Sequence, residues 1–406
     1  MPSTKNIKRL LYLLVAGFMV TQCALHNKAI AGPQMIFGPN NEGTLQIDYK
    51  GQFQMIVRDT GSGPDKDDST SEFNFRRNRL AFMGQYGDSL SLYVQTEFTE
   101  DQNISALGES DTAGGSEFQA IDAVMRFKFN DAFRIHVGKF KYNLSRENLE
   151  DCFAPLTLDR SLFIRPSYVT TRDKGIAVWG NFLDGLFQYR IDAMNGRLAT
   201  TADAPAPESS FRYSARAHVS LLEPEQEYGY KGTYLGQKKV LTIGGAVQTE
   251  SGVAYADTVA KTGEKDYNAW TADVFFEYPS PLGTITISGA YEEVNLDDAY
   301  RGSNPDPDTL DLNGEKNGSY VKAAYLLPET PLQVFGRYEE WSFASLNDIL
   351  DQKLTWSAVG INYYFNKQNL KLTLEYSHTD YDKEGTFGGL VSKDFDTVVT
   401  QLQLVF

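Results

Sequence analysis

A chain of 406 residues with 53 acidic and 38 basic side chains carries a net charge of −15, which argues against nucleic acid as a partner. Two cysteines and four scattered histidines (His26, His136, His218 and His378) give no metal-ligand spacing, no haem attachment and no nucleophile–base set, so no metal, cofactor or catalytic site is expected. Beyond the N-terminus no run reaches the ~18 apolar residues of a membrane-crossing helix.

Residues 1–31 read as a secretory signal peptide. Lys5, Lys8 and Arg9 form a basic region, Leu10 to Val20 is apolar, and Ala29-Ile30-Ala31 is a cleavage site before Gly32. Gln22 is too bulky for Cys23 to serve as a lipidation site. Losing the leader takes the net charge to about −19 and leaves Cys152 alone, so no intramolecular disulfide can form. Residues 32–406 contain no linker-like break and read as a single domain.

From residue 43 onward apolar and polar residues alternate. Leu45, Ile47, Tyr49, Phe53, Met55 and Val57 share a face, as do Leu80, Phe82 and Tyr86 on the next segment. A period of two is the mark of a strand with one apolar face. Sixteen candidates follow in order: 43–58, 72–86, 88–101, 118–130, 132–141, 172–183, 185–195, 209–223, 239–250, 266–279, 282–295, 317–328, 331–343, 353–365, 369–381 and 393–406. Tight turns such as Gly87-Asp88, Asp184-Gly185 and Ser280-Pro281 alternate with long connections at 59–71, 102–117, 142–171, 196–208, 251–265, 296–316, 344–352 and 382–392. The linker 224–238 breaks the alternation, either as a periplasmic excursion or through displaced strand limits. The last strand ends on Phe406, with Val398, Thr400, Leu402 and Leu404 on its face. An even strand count, sorted loops and 25 Phe with 23 Tyr point to an all-β fold: a transmembrane antiparallel β-barrel in the bacterial outer membrane.

Given that apolar faces meet lipid, the alternate residues face the lumen. Arg77, Arg79, Arg126, Lys128, Arg134, Arg190, Arg212 and Arg216 then line the pore, with Glu97, Asp122 and Asp192 as the few opposing acids of this half. Arg76 has the opposite parity and is expected at the membrane edge. The second half is balanced, with Asp273, Glu277, Lys322, Arg337, Glu339, Lys371 and Glu375 inward. The acidic surplus falls in loops, among them Asp65, Asp67, Asp68, Glu109, Asp111, Asp297, Asp298, Asp306, Asp308 and Asp311. The inward cations either guide anions or pair with neighbouring acids. Loop 142–171 carries Leu149, Phe153, Leu156, Leu158, Leu162, Phe163 and Ile164, which a free outer loop has no use for. It is expected to fold inward as the constriction and to bring Arg146, Arg160 and Arg165 with it; Cys152 is expected simply to pack.

Three stretches, FNFRRNRLAFMGQYGDSLSLYVQTEF, FRIHVGKFKYNLSREN and RSLFIRPSYVTTRDKGIAVWG, resemble the phosphate-selective porins of the O and P type. The resemblance implies a sixteen-stranded barrel, usually trimeric, that passes small solutes passively, some members selecting anions through an arginine-lined pore. Carried onto this chain, it implicates Arg77, Arg79, Arg126, Arg134, Arg160 and Arg165. Lysines near the constriction are limited to Lys139, Lys141 and Lys174, and the outer loops are acidic. The expectation is therefore a porin for small hydrophilic solutes with mild anion preference. A phosphate or other oxyanion channel, and a largely plugged adhesive barrel whose acidic loops meet divalent ions and lipopolysaccharide, are the alternatives.

Overall fold

The computed structural model describes residues 32–64, 68–98, 118–161, 171–198, 206–257, 260–296, 315–346, 349–387 and 390–406. Residues 1–31, expected to be a leader, lie outside them, as do Arg165, Leu162, Phe163, Ile164 and every loop acid named above except Asp68.

A short β1 (Gln34–Phe37) precedes the barrel. Sixteen strands then follow: β2 (Gly43–Ser62), β3 (Asp68–Tyr86), β4 (Leu90–Phe98), β5 (Phe118–Lys128), β6 (Arg134–Lys141), β7 (Arg172–Phe182), β8 (Phe187–Met194), β9 (Arg212–Ser220), β10 (Val240–Asp257), β11 (Thr262–Ser280), β12 (Gly283–Asn295), β13 (Lys316–Leu326), β14 (Leu332–Leu346), β15 (Ile349–Asn366), β16 (Leu370–Tyr381) and β19 (Phe395–Val405). The hairpin β17 (Gly385–Phe387) and β18 (Leu390–Ser392) sits between the last two. Each barrel strand pairs antiparallel with the next, and β19 pairs back onto β2 from Thr397↔Arg58 to Val405↔Lys50. No edge is left open, the condition for strands to cross lipid. β1 continues along β2 beyond the end of β19, from Gln34↔Gln46 to Phe37↔Gly43.

The sequence periodicity places each of the sixteen barrel strands, while β1, β17 and β18 were not among the candidates. The burial pattern is inverted relative to a water-soluble protein: Gln52, Gln403, Asn362 and Thr373 are fully buried, while Leu402, Val359, Tyr376 and Phe73 are exposed on the outer face. Three expected long loops are shorter, because 251–257 and 262–265 extend the β10–β11 ladder, and the β2–β3 and β14–β15 hairpins extend likewise. Past the lipid both faces are wet, so the apolar alternation stops although the hydrogen-bonded ladder continues.

Arg76 is a correction. Gln52 pairs with Arg77 and Phe53 with Phe75, so Arg76 is the extra residue of a β-bulge. Its side chain turns into the lumen, to Asp159, rather than to the membrane edge.

Candidate functional site

Among the described residues, two segments occupy the lumen, entering from opposite mouths. The first follows β6. Tyr142 lies under Arg212, and Ser145 caps one helical turn, α1 (Arg146–Leu149), by accepting from Asn148 N at 3.0 Å. Residues 142–150 and 152–158 are buried. The chain then reaches the far wall. Gln52 and Gln403 donate to the carbonyls of Cys152 and Phe153 at 3.1 and 2.8 Å, and Asn362 to that of Leu156 at 3.1 Å. Leu158 N donates to Glu375 at 3.1 Å, and Ser161 Oγ to Glu339 at 2.6 Å. Side-chain amides thus satisfy backbone that has left its sheet.

The second segment is the anomalous linker after β9. β9 ends at Ser220 and β10 starts at Val240, within three residues of the expected limits, and the linker between them is an inward excursion. Tyr230 N donates to Leu149 O at 3.2 Å and Asp151 N to Tyr230 O at 2.9 Å, closing a parallel bridge between Glu150 and Tyr230. Gly232 N donates to Ala154 O at 2.9 Å, and a Cβ there would lie 2.4 Å from Leu156 N, so only glycine fits. Glu277 anchors the excursion, accepting from Thr233 Oγ1, Tyr234 N and Gly236 N within 3.1 Å. Arg146 locks the two segments together. It donates to both oxygens of Glu225 at 2.8 Å and stacks on Phe275 and Tyr230 at 4.0 and 4.4 Å. Burial raises the Glu225 carboxyl, but Arg146 outweighs it and sets the pKa at about 2.

Most of the expected pore cations are paired. Arg77 donates to both oxygens of Asp159 at 2.9 and 3.1 Å and to Gln52 at 2.6 Å, and Arg76 reaches the same carboxylate at 2.8 Å. Burial raises the Asp159 carboxyl, yet Arg77, Arg76 and Arg160 together hold it well below the usual carboxylate range. Arg79 is bidentate on Glu97 at 2.9 and 2.8 Å, and Arg216 on Asp273 at 2.6 and 2.8 Å. Arg212 meets Asp173 at 3.0 Å. Lys128 and Arg134 share Asp131 at 3.2 and 2.8 Å, at the short-turn rim rather than mid-barrel.

Three of the expected arginines lack a carboxylate within ion-pair distance among the described residues, and so does the expected inward Lys371, whose buried Nζ has no hydrogen-bond partner. Arg126 lies over Tyr93 at 5.0 Å. Arg190 lies over Tyr228 and Tyr230 at 5.3 and 4.4 Å and bonds the Tyr230 hydroxyl. Arg160 donates to the carbonyls of Glu147 and Asn148, both at 3.4 Å. Of the other expected inward residues, Lys322 pairs with Glu147 at 2.7 Å, Arg337 with Glu339 at 2.6 Å, and Asp122 with Arg172 at 2.8 Å. Asp192 instead holds Asn143, at 2.7 and 2.9 Å. Of the lysines near the expected constriction, Lys141 donates to Glu150 O at 2.6 Å, Lys139 to Ala120 O at 3.2 Å, and Lys174 is exposed.

Sequence reasoning missed Asp159, Glu225 and Tyr230. All three lie in connections, where alternation carries no directional signal. The odd length of the linker that holds two of them was the available clue.

Solved structures share the fold. An OmpF of Salmonella typhi aligns with TM-score 0.56 at 15% identity, covering 92% of this chain and 100% of that one. An anion-selective porin of Comamonas acidovorans gives 0.55 at 10% identity, covering 90% and 100%, and the channel DcaP of Acinetobacter baumannii gives 0.54 at 16%, covering 93% and 100%. No curated protein sequence matches the chain. The model of the family "Phosphate-selective porin O and P" matches residues 47–406, nearly the whole barrel, and with this match the chain belongs to that family of outer-membrane porins.

Proposed function

We propose that the porin passes small hydrophilic solutes by passive diffusion with a mild preference for anions, and that the segments 142–161 and 224–238 set its constriction. Residues 32–406 act as one barrel domain after loss of the leader, in a homotrimer. The reading is not catalytic: His136 accepts from Trp179 at 3.1 Å, His218 sits on the Tyr230 hydroxyl at 2.7 Å, and neither is hydrogen-bonded to a serine, threonine or cysteine among the described residues.

The observation that carries the anion preference is the residue of charge left after pairing. Arg126 and Arg190 keep guanidinium groups on the inner wall with no carboxylate within ion-pair distance among the described residues, where low-dielectric walls strengthen their field; Arg160 adds a guanidinium that donates only to carbonyls, beside the Asp159 it helps to hold ionised. Pairing of Arg77, Arg79, Arg212 and Arg216 with carboxylates is why the preference is mild and why strict phosphate specificity is not proposed. Reversal potentials in a salt gradient test it. An anion-shifted potential that moves towards zero in Arg126→Ala and Arg190→Ala is the expected result, and a cation-shifted potential in the unaltered protein rules it out. Phosphate block of the chloride current would instead support an oxyanion channel.

A further inference from the structure

The outer wall of the barrel is not smooth. A groove of about 600 Å³ runs over β8–β11 and continues into a second of about 710 Å³ that shares Ile191, Ala215, Val247 and Trp270. Strand register lays out its floor and walls. Ile191, Ala215, Val247, Trp270 and Glu293 lie side by side across five strands. The next outward row towards the short turns is Tyr189, Ala217, Gly245, Ala272 and Tyr291. Three small residues are thus flanked by two tyrosines, and Trp270 leans on Tyr291 at 5.2 Å between ring centres. The next row towards the long loops is Ala193, Tyr213, Thr249, Asn268 and Asn295. The groove is therefore apolar at mid-wall from β8 to β11, with Glu293 on its β12 side, and its polar row is the one nearest the extracellular connections.

We propose that this groove binds one membrane lipid, with an acyl chain along Ala215, Ala217 and Gly245 and its head at Asn268, Asn295 and Glu293. The inference goes beyond passive diffusion and rests only on the barrel being in a membrane. A flexible chain fits a furrow cut by small residues. The convex wall of a second barrel does not, which is why a copy of this chain is not the occupant. A polar row at one end matches an amphiphile. The lining of the polar end contains Glu293 and amides but no lysine or arginine, so it favours a head that donates hydrogen bonds or carries an ammonium over an anionic one.

Trp270 reports on the groove. It is 43% exposed on the outer wall, whereas Trp179, Trp341 and Trp356 are buried and face inward. The protein is placed in phosphatidylcholine vesicles holding a minor fraction of brominated phosphatidylethanolamine or brominated phosphatidylglycerol. Quenching by the ethanolamine lipid should exceed its mole fraction roughly two- to fivefold, the scale of one exposed ion pair. Quenching by the glycerol lipid should not exceed it. Ala217→Phe and Ala215→Leu, which fill the furrow, should abolish the excess, and Glu293→Gln should reduce it. Single-channel conductance should be unchanged in all three, which shows the barrel intact and keeps this test separate from that of selectivity. Quenching that tracks mole fraction for both lipids overturns the proposal, as does an excess that survives Ala217→Phe. So does a Trp270 shielded from every brominated lipid until Ala217→Phe dissociates the oligomer, which would make the face a contact between copies.

Discussion

A guanidinium in this lumen takes a carboxylate wherever one is within reach, and Asp159 serves two. Arg77 is 2% exposed and Arg76 shares its acid, so Asp159→Asn would remove the carboxylate charge to which both arginines donate. Breaking a buried pair from one side costs about 3–5 kcal/mol. The variant is expected to unfold at lower denaturant and to shift the reversal potential towards the anion limit. An unmoved potential would mean that the pair lies off the conducting path. The arginines themselves were legible, because parity alone turns Arg77 and Arg79 inward. Arg76 was not, since a bulge inserts one residue and resets parity. Asp159 was not either, since 82 residues separate it from Arg77 and no local pattern links them.

At the scale of elements, the barrel wall is regular and its contents are not. Strand number and order follow from period two and from the sorting of turns, both local signals. The lumen segments are tertiary: loop 142–171 was expected inside from its apolar content, while 224–238 showed only as a connection too long for its side. Their junction depends on Arg146 and Glu225. Arg146→Ala is expected to release the two segments and to raise single-channel conductance and current noise, with the barrel still folded. An unaltered conductance would locate the narrowest point elsewhere. The pH dependence of the junction has a defined sign. Glu225 is depressed to about 2 from 4.5, so its contribution is complete above pH ~4.5 and is lost only as pH falls through about 2. Conductance controlled by this junction should therefore stay flat between pH 7 and pH ~4.5, and a step in that window would show that another group holds the segments.

For the whole molecule, the decisive feature is which face meets lipid, and β15 displays the gradient. Its outward residues run Lys353, Thr355, Ser357, Val359, Ile361, Tyr363 and Phe365, from charge at the long-loop rim through aliphatic residues to aromatics near the short turns. That is the profile of an apolar band with an aromatic girdle. Closure was legible at the same scale, because a C-terminal strand with an apolar face has to pair with the first strand once the count is even. Phe406 completes it, donating to Tyr49 O at 3.0 Å with the two rings 5.9 Å apart. The lipid face can be read by charge. Val359 is 61% exposed, so in water an arginine there would cost little. At the bilayer midplane it costs about 2–4 kcal/mol, falling to about 0–1 near the interface. Val359→Arg is therefore expected to lower unfolding stability in lipid vesicles by that larger amount, and Thr355→Arg by the smaller. The same pair compared in detergent should differ less, because a micelle deforms around the charge. Equal costs at the two positions in vesicles would show that this wall is covered by protein rather than lipid.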